Sequence, residues 1–225
     1  TGETTQSIIV DTTGNYQVMI CDTTPSCLLP TNLQNGLIAW YPFCGNANDE
    51  SGNGNHGTVN GATLTTDKFG NANAAYDYDG IDDFIEVPLL TAINNQTAIT
   101  LSYWENSGFQ FSGISGIKGC VFNHWIDNAQ PTSPVGINTG ITSSGNIFCS
   151  LFGGAGNNGS VNLQANSWNL IVIMFDGNQN TNQKVSFYRN GIFSEYIVDP
   201  SFNISQLGNL ATRSVFGCRI GFPSL

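Results

Sequence analysis

The chain has 225 residues, and its charge is sparse and acidic: 6 Lys and Arg stand against 16 Asp and Glu, which gives a net charge of −10. Nucleic acids and anionic membranes are bound through clustered Lys and Arg, so this composition argues against both as partners. No apolar run reaches the roughly 18 residues that a membrane span requires, so membrane insertion is not expected. Divalent cations are more plausible partners than nucleic acids or membranes for a chain with this net negative charge.

The composition predicts an all-β protein. Gly, Asn, Ser and Thr are abundant and favour turns, whereas strong helix formers are scarce. Short β-branched and aromatic runs recur between these turn signals, and no window has helical periodicity over three turns. The length suits one large all-β domain, or one domain with a fragment of another.

The six cysteines predict disulfides rather than a zinc site. None forms a C-x-x-C pair, and zinc sites need closely spaced ligand pairs. Disulfides persist in oxidising compartments, so an extracellular or bacterial cell-surface location is expected. Cys21–Cys27 is the one local pairing that the spacing suggests. Spacing leaves the pairing of the others open: Cys44, Cys120, Cys149 and Cys218.

The sequence pattern of residues 1–30 differs from that of the rest of the chain. They predict two strands around a turn at Thr13-Gly14-Asn15, followed by a linker rich in Pro and Thr. The segments TGETTQSIIV and TTGNYQVMICD resemble the last two strands of immunoglobulin-like repeats in large bacterial surface proteins. The chain has no leader sequence at Thr1, so it is expected to be a processed protein or a piece of a larger surface protein.

Residues 33–225 carry a second and stronger resemblance. The strand W-Y-P-F, the loop D-x-S-G-N-G-N-x-G and the strand Y-D-G-x-D-D-F-I-E-V follow one another between Trp40 and Val87. These motifs resemble the opening of bacterial laminin-G-like domains, which are jelly rolls of the concanavalin-A-like type. The resemblance implies an antiparallel β-sandwich. Looser matches are three later segments: Ala98–Asn106, Asn166–Gly177 and Lys184–Phe193.

One departure from that family concerns the end of the chain. The family's closing strand is expected after an I-G turn, but here the sequence reaches CRIGFPSL and stops. The closing strand is therefore expected to be absent from this sequence, to have diverged beyond recognition, or to be supplied by a partner. An unpaired edge beside it would allow strand addition from another chain.

The loop at Asp49 is the best candidate for a metal site. Asp49, Ser51 and Asn53 occupy positions 1, 3 and 5, and Gly54 occupies position 6, which is the spacing at the start of an EF-hand loop. The bidentate Glu of position 12 is missing, because Asn60 stands there. We therefore predict a calcium ion held partly by backbone carbonyls. The alternative is a loop stabilised by its own Asx-turn hydrogen bonds.

Asp83 belongs to the densest acidic cluster of the sequence, between Asp77 and Glu86. Strand alternation places it on an apolar face, where a carboxylate needs partners. Two roles remain open for Asp83. It could bind calcium together with Asp49, or it could accept backbone N–H bonds from the Gly-rich loop.

No catalytic constellation is recognisable, so the chain is not expected to be an enzyme. A serine hydrolase needs a His base, and only His56 and His124 are available without any G-x-S-x-G motif. The E-x-D-x-x-E strand of concanavalin-like β-glucanases is also missing. Trp125 lies among polar neighbours and is the best candidate for an aromatic that faces a ligand.

The expected function is an extracellular binding or adhesion module that recognises a glycan or a surface protein and is stabilised by Ca²⁺. The resemblance to laminin-G-like domains implies that loops at one rim of the sandwich bind the ligand beside the calcium ion. Two alternatives stay open. The chain could be a structural subunit of a surface filament that self-associates by strand addition, or an accessory domain of a secreted enzyme.

Overall fold

The computed structural model of the chain describes residues 6–9, 17–20, 35–107, 117–125, 137–142, 145–150, 161–180, 184–196, 211 and 213–218. Strands dominate these residues, and the one helical element is a 3-10 turn at Thr91–Ile93. Within this part of the chain, no helix is long and apolar enough to span a membrane.

Fifteen strands occur among the described residues, and most are short. Their bounds are β1 Gln6–Ile9, β2 Gln17–Ile20, β3 Thr58–Asn60, β4 Thr63–Thr65, β5 Ala75–Asp77, β6 Phe84–Val87, β7 Ala98–Glu105, β8 Ile117–Trp125, β9 Ile137–Thr142, β10 Asn146–Ser150, β11 Val161–Asn162, β12 Asn169–Asp176, β13 Val185–Arg189, β14 Ile192–Tyr196 and β15 Arg213–Cys218.

The strands form two principal antiparallel sheets. One has seven strands in the order β11-β10-β9-β8-β15-β6-β3, and the other has four in the order β14-β13-β12-β7. The long apolar runs supply the centre of the smaller sheet: β12 pairs with β7 over eight residues, from Asn169↔Glu105 to Asp176↔Ala98. Two small two-stranded sheets, β1-β2 and β4-β5, complete the described structure.

A single core joins the two principal sheets, as the sequence predicts for a β-sandwich. Ile85 and Ile147 of the seven-stranded sheet and Ile171 and Phe187 of the four-stranded sheet are fully buried in the same cluster. Along each strand these residues alternate with side chains of the opposite face, because the side-chain period of a strand is two. The predicted all-β antiparallel sandwich is confirmed.

The interior of the seven-stranded sheet is filled by the last described strand. β15 pairs with β8 on one side and with β6 on the other. The sequence predicted that a closing strand is missing and that an edge beside it is unpaired. Residues 213–218 take an interior position in the sheet, and the I-G turn with the residues after it lies outside the described residues. The absence of a closing strand, and strand addition beside it, stay predictions.

Other local predictions meet different outcomes. β1 and β2 form the predicted hairpin pair, although the turn between them lies outside the described residues. Asn190 and Gly191 both have positive φ, 50° and 80°, as the predicted tight turn between β13 and β14 requires. Trp40–Phe43, however, is not a strand: Pro42 cannot donate a ladder hydrogen bond, and Phe43 turns the chain with a φ of 56°.

The two cysteines whose side chains are described differ in their pairing. Cys44 is disulfide-bonded. Cys149 of β10 is a free thiol within the core, and burial raises its pKa to about 12. The predicted pair Cys21–Cys27 lies outside the described residues.

Candidate functional site

The Asp49 loop is organised around the buried Asp49 carboxylate, which is 3% exposed. One carboxylate oxygen, Oδ1, accepts hydrogen bonds from the backbone N–H of Trp40 and of Ser51, each at 2.9 Å. The other oxygen, Oδ2, accepts from the backbone N–H of Asn55 at 3.0 Å. The carboxylate therefore ties both ends of the loop to the segment that precedes it.

These hydrogen bonds decide the ionisation of Asp49. Burial alone would raise its pKa, but hydrogen bonds from the Ser51 side chain and from the three backbone N–H groups outweigh burial and hold the pKa below its usual value. The arrangement matches the alternative that the sequence left open, a loop stabilised by its own Asx-turn bonds. A calcium ion at Asp49, Ser51 and Asn53 remains a prediction.

Ser51 and Asn53 also have protein partners. Ser51 Oγ accepts a hydrogen bond from the Asn53 backbone N–H at 3.2 Å. The Asn53 side-chain amide donates to the carbonyls of Leu37 and Ile38, at 2.9 and 3.0 Å. The side-chain amide of Asn53 thus anchors the loop to the chain in front of it.

Asp83 lies in a second acidic loop, which connects β5 with β6. Ligand oxygens of Asp79, Asp82 and Asp83 all lie within 4.8 Å of one another. Asp79 and Asp82 are exposed and Asp83 is partly buried. We call these three residues the aspartate cluster. The sequence places all three in one acidic run and left two roles open for Asp83, calcium binding with Asp49 or acceptance of N–H bonds from the Gly-rich loop. The structure brings Asp83 together with Asp79 and Asp82, and the two predicted roles stay predictions.

Backbone N–H groups arrange the aspartate cluster. The Asp79 carboxylate accepts hydrogen bonds from the backbone N–H of Ile81 at 2.8 Å and of Asp82 at 3.3 Å. These hydrogen bonds, and above all the one from Ile81, lower the pKa of Asp79. Asp83 Oδ2 accepts from Asp79 N–H at 2.9 Å. Three carboxylates on one exposed loop are the hard oxygen ligands that Ca²⁺ prefers, so the donor set fits that ion.

Trp125 is the last residue of β8, in register with Arg213 of β15. The structure describes the backbone of Trp125 but not its side chain. Its predicted role as a ligand-facing aromatic therefore stays a prediction.

His124 is a buried polar residue and not a solvated one. It is fully buried, with Nδ1 at 2.8 Å from Ser214 Oγ and Nε2 at 3.2 Å from Asn94 Oδ1. Because an amide oxygen only accepts, Nε2 carries the ring proton and Nδ1 accepts from the Ser214 hydroxyl. Ser214 Oγ also accepts from the Leu90 N–H at 3.2 Å. The His–Ser pair is sealed inside the sandwich, where it joins two sheet strands to the 90–94 segment.

Glu105 is a buried carboxyl that the sequence did not single out. Oε1 accepts from the Asn169 side-chain amide at 2.7 Å and Oε2 from the Ser107 hydroxyl at 2.8 Å. Burial raises the pKa of Glu105 although these hydrogen bonds oppose it. Glu105 of β7 and Asn169 of β12 are cross-strand partners although they lie 64 residues apart in the sequence. Only the register of the two strands reveals this contact.

The fold defines this chain as an antiparallel β-sandwich with polar loops at its rim. No protein-family model matches the sequence, and no curated protein matches it either. Solved structures with the same architecture do match. Domain 4 of an extracellular GH43 arabinanase from Geobacillus stearothermophilus, solved in complex with arabinotriose, has a TM-score of 0.55 at 15% identity, covering 83% of this chain and 84% of that domain.

A second similar structure is a tryptophan-to-alanine mutant of HCR/D. Its TM-score is 0.54 at 19% identity, and the match covers 78% of this chain and 41% of that one. Identities this low show that the fold is shared and show nothing finer. The laminin-G-like assignment therefore stays a prediction, while the β-sandwich is independently supported.

Proposed function

We propose that this chain is a non-catalytic, extracellular binding module of a larger surface protein, which recognises a glycan or a protein ligand. A calcium ion at the aspartate cluster would stiffen the loop between β5 and β6. The observation that carries the calcium part of the proposal is the approach of three carboxylates within 4.8 Å on an exposed loop. Like charges at this distance repel one another, and a divalent cation removes that repulsion.

Three further observations support the proposal. The fold is shared with a domain whose structure contains arabinotriose, although a shared fold alone does not establish function. A disulfide at Cys44 fits an oxidising, extracellular compartment. Among the described residues, the buried titratable side chains Glu105 and His124 are held by hydrogen bonds inside the protein, where no substrate reaches them.

The calcium proposal is tested by thermal unfolding of the full chain with calcium and with EDTA. Calcium that binds only the folded state should stabilise it by about 2.7 kcal/mol at one hundred times its dissociation constant. Asp82→Asn should abolish this gain. Asp82 is the sharpest position to change, because among the described contacts its carboxylate accepts no hydrogen bond and its loss leaves the loop intact.

Two further variants separate the possible outcomes. Asp77→Asn is the matched control, because Asp77 is also exposed but lies at the end of β5 outside the cluster, and it should keep the full calcium response. A calcium response that is lost in Asp49→Asn but kept in Asp82→Asn would show that the ion binds in the Asp49 loop and not at the aspartate cluster. No calcium response in the wild-type chain would remove calcium from the proposal.

A further inference from the structure

The segment between β11 and β12 connects the two principal sheets at one end of the sandwich. β11 belongs to the seven-stranded sheet and β12 to the four-stranded sheet, so residues 163–168 cross from one layer to the other. We call them the crossing segment. The Leu163 N–H donates to the Gly145 carbonyl at 3.1 Å, and the Asn166 N–H donates to the Ser107 carbonyl, just after β7, at 2.9 Å. The crossing segment is therefore attached to both layers.

The Asn169 side chain binds the crossing segment from within the sandwich. Asn169 is 1% exposed. Its Oδ1 atom accepts from the Gln164 N–H at 3.3 Å, and its Nδ2 atom lies 3.1 Å from the Gln164 carbonyl and 2.9 Å from the Ser167 carbonyl. The same Nδ2 atom lies 2.7 Å from Glu105 Oε1. The amide thus links the crossing segment to the buried carboxyl group at the end of β7.

Glu105 carries a buried carboxyl group whose described hydrogen-bond donors are all neutral. It is 8% exposed, and its donors are the Asn169 amide together with the hydroxyl and backbone N–H of Ser107. A buried carboxylate without a cationic partner is costly, because its charge has lost hydration. These hydrogen bonds offset part of that cost, but burial still raises the pKa of Glu105 above its ordinary value of 4.5.

The described titratable groups nearest to Glu105 do not compensate its charge. The Tyr103 phenol lies two residues earlier on the same face of β7, and the Cys149 thiol of β10 interacts with that phenol. Burial raises the pKa of both groups and keeps them protonated. Arg189 lies on β13, which β12 separates from β7. The crossing segment, 163–168, contains no ionisable side chain. Protonation of Glu105 is therefore the change that removes the buried charge.

The hydrogen bonds around Glu105 can serve both of its protonation states. The carboxylate accepts from the Asn169 amide and from the Ser107 hydroxyl. In the carboxylic acid, the Asn169 amide still donates to Oε1, and the acid O–H can donate to the Ser107 hydroxyl, because a hydroxyl accepts as well as donates. The acid form thus keeps its partners and buries no charge, which makes it the more stable form in this site.

We propose that Glu105 is a pH-sensitive clasp, which holds the crossing segment to the end of β7 in acid and loosens as the pH rises. When the clasp opens, water hydrates the carboxyl group and its pKa returns to the ordinary value. Because the closed form has the higher pKa, its extra stability is complete below pH 4.5 and is lost as the pH rises through the raised value. Between these two values, each pH unit should lower the ratio of closed to open forms by up to about tenfold.

Hydrogen exchange of the full chain between about pH 4.5 and about pH 7.5 tests the clasp, with rates corrected for the intrinsic pH dependence of amide exchange. The reporters are the N–H groups of Gln164 and Asn166, which are hydrogen-bonded within the clasp. In the wild type, their protection should fall with rising pH by up to about tenfold per unit.

Glu105→Gln is the variant that fixes the clasp in a neutral state. Its amide keeps an acceptor for Asn169 and supplies an N–H donor for Ser107, so the fall in protection with rising pH should disappear. At pH 7.5 its reporters should be better protected than those of the wild type. Glu50→Gln is the matched control, because it removes an exposed carboxyl group from another loop. Its protection should follow the wild-type pH profile.

Two results of this experiment would overturn the clasp. One is protection that does not fall with pH in the wild type, and the other is an equal fall in Glu105→Gln, which would assign the effect to another group. If Glu105→Gln does not fold, Ser107→Ala decides. It removes a hydroxyl donor that favours the charged carboxylate, so the fall in protection should extend to higher pH. An unshifted fall in Ser107→Ala would overturn the assignment to Glu105.

Discussion

Single polar residues divide into two kinds in this protein. Asp49 and His124 are buried, and every contact described for them satisfies a polar group of a neighbouring segment. Asn123 lies in a strand beside His124, yet its amide oxygen has no donor. The first kind holds segments of the chain together. The second kind keeps the cost of its lost hydration, which no described contact offsets.

His124 should make stability depend on pH between about 6.5 and 4. Burial lowers the pKa of His124 from 6.5 to about 4. The unfolded chain therefore takes up a proton that the folded chain refuses, so this contribution is complete above pH 6.5 and is lost as pH falls toward 4. The loss is on the order of 3 kcal/mol. Urea midpoints at pH 7, 6, 5 and 4 should fall less steeply for His124→Gln than for wild type.

The control for this experiment is Asn178→Gln, because Asn178 lies on an exposed loop after β12 and neither side chain ionises. Its pH profile should follow the wild type. Glu105 acts in the opposite sense, since its raised pKa favours folding at low pH, and it is unchanged in both variants. Parallel profiles for wild type and His124→Gln would show that the buried imidazole does not control acid stability.

Among the elements, the short strand β3 is fixed at both ends by glycines in tight contact. At Gly57 an added Cβ would lie 2.7 Å from the Ile85 side chain. At Gly61 the backbone has a φ of 82°, and an added Cβ would lie 1.9 Å from Asp83 Oδ1. The glycine after β3 thus allows the Asp83 carboxylate to pack directly on the backbone, which sets the position of the aspartate cluster.

Gly61→Ala should therefore be much more destabilising than Gly70→Ala. Both positions have positive φ, so both variants lose about 1–2 kcal/mol to left-handed backbone strain. Gly70 has nothing within 4 Å of an added Cβ, whereas Gly61 adds the clash with Asp83. We expect an additional loss of about 1–3 kcal/mol for Gly61→Ala in urea unfolding. Equal losses in the two variants would mean that Asp83 moves aside without cost.

At the scale of the whole molecule, the position of β15 makes folding depend on residues near the end of the chain. β15 has paired neighbours on both sides, whereas β14 is an edge strand. An interior strand uses its N–H groups in both ladders, so a proline there breaks a hydrogen bond that water cannot replace. The sandwich should therefore tolerate proline at its edge and not in β15.

We expect Val215→Pro to abolish the cooperative thermal transition and Ser194→Pro to keep it at a somewhat lower midpoint. Ser194 is exposed and lies at the register irregularity of β14, between Phe193 and Glu195, so its N–H is not needed by the ladder. Circular dichroism during heating distinguishes the two results. A sharp transition in Val215→Pro would show that β15 is dispensable for the sandwich.

Much of the fold could be predicted from local sequence. The long apolar runs of β7 and β12 and the Asn190-Gly191 turn carry signals that lie within a few residues of each other. The aromatic content of Trp40–Phe43 predicts a strand, but Pro42 cannot donate a ladder hydrogen bond and Phe43 has a positive φ. The site is less predictable: Asp79, Asp82 and Asp83 stand in one acidic run of the sequence, but only the turn geometry brings their carboxylates together.

The sequence by itself determined the all-β character and the net negative charge, because composition and short-range periodicity act locally along the chain. Tertiary structure alone decided three other features. These are the interior position of β15, the contact of Glu105 with Asn169, and the alignment of Asn123 with Val215 and Glu86. Each depends on which distant strands become neighbours and in which register, and a shift of one residue would reverse every face.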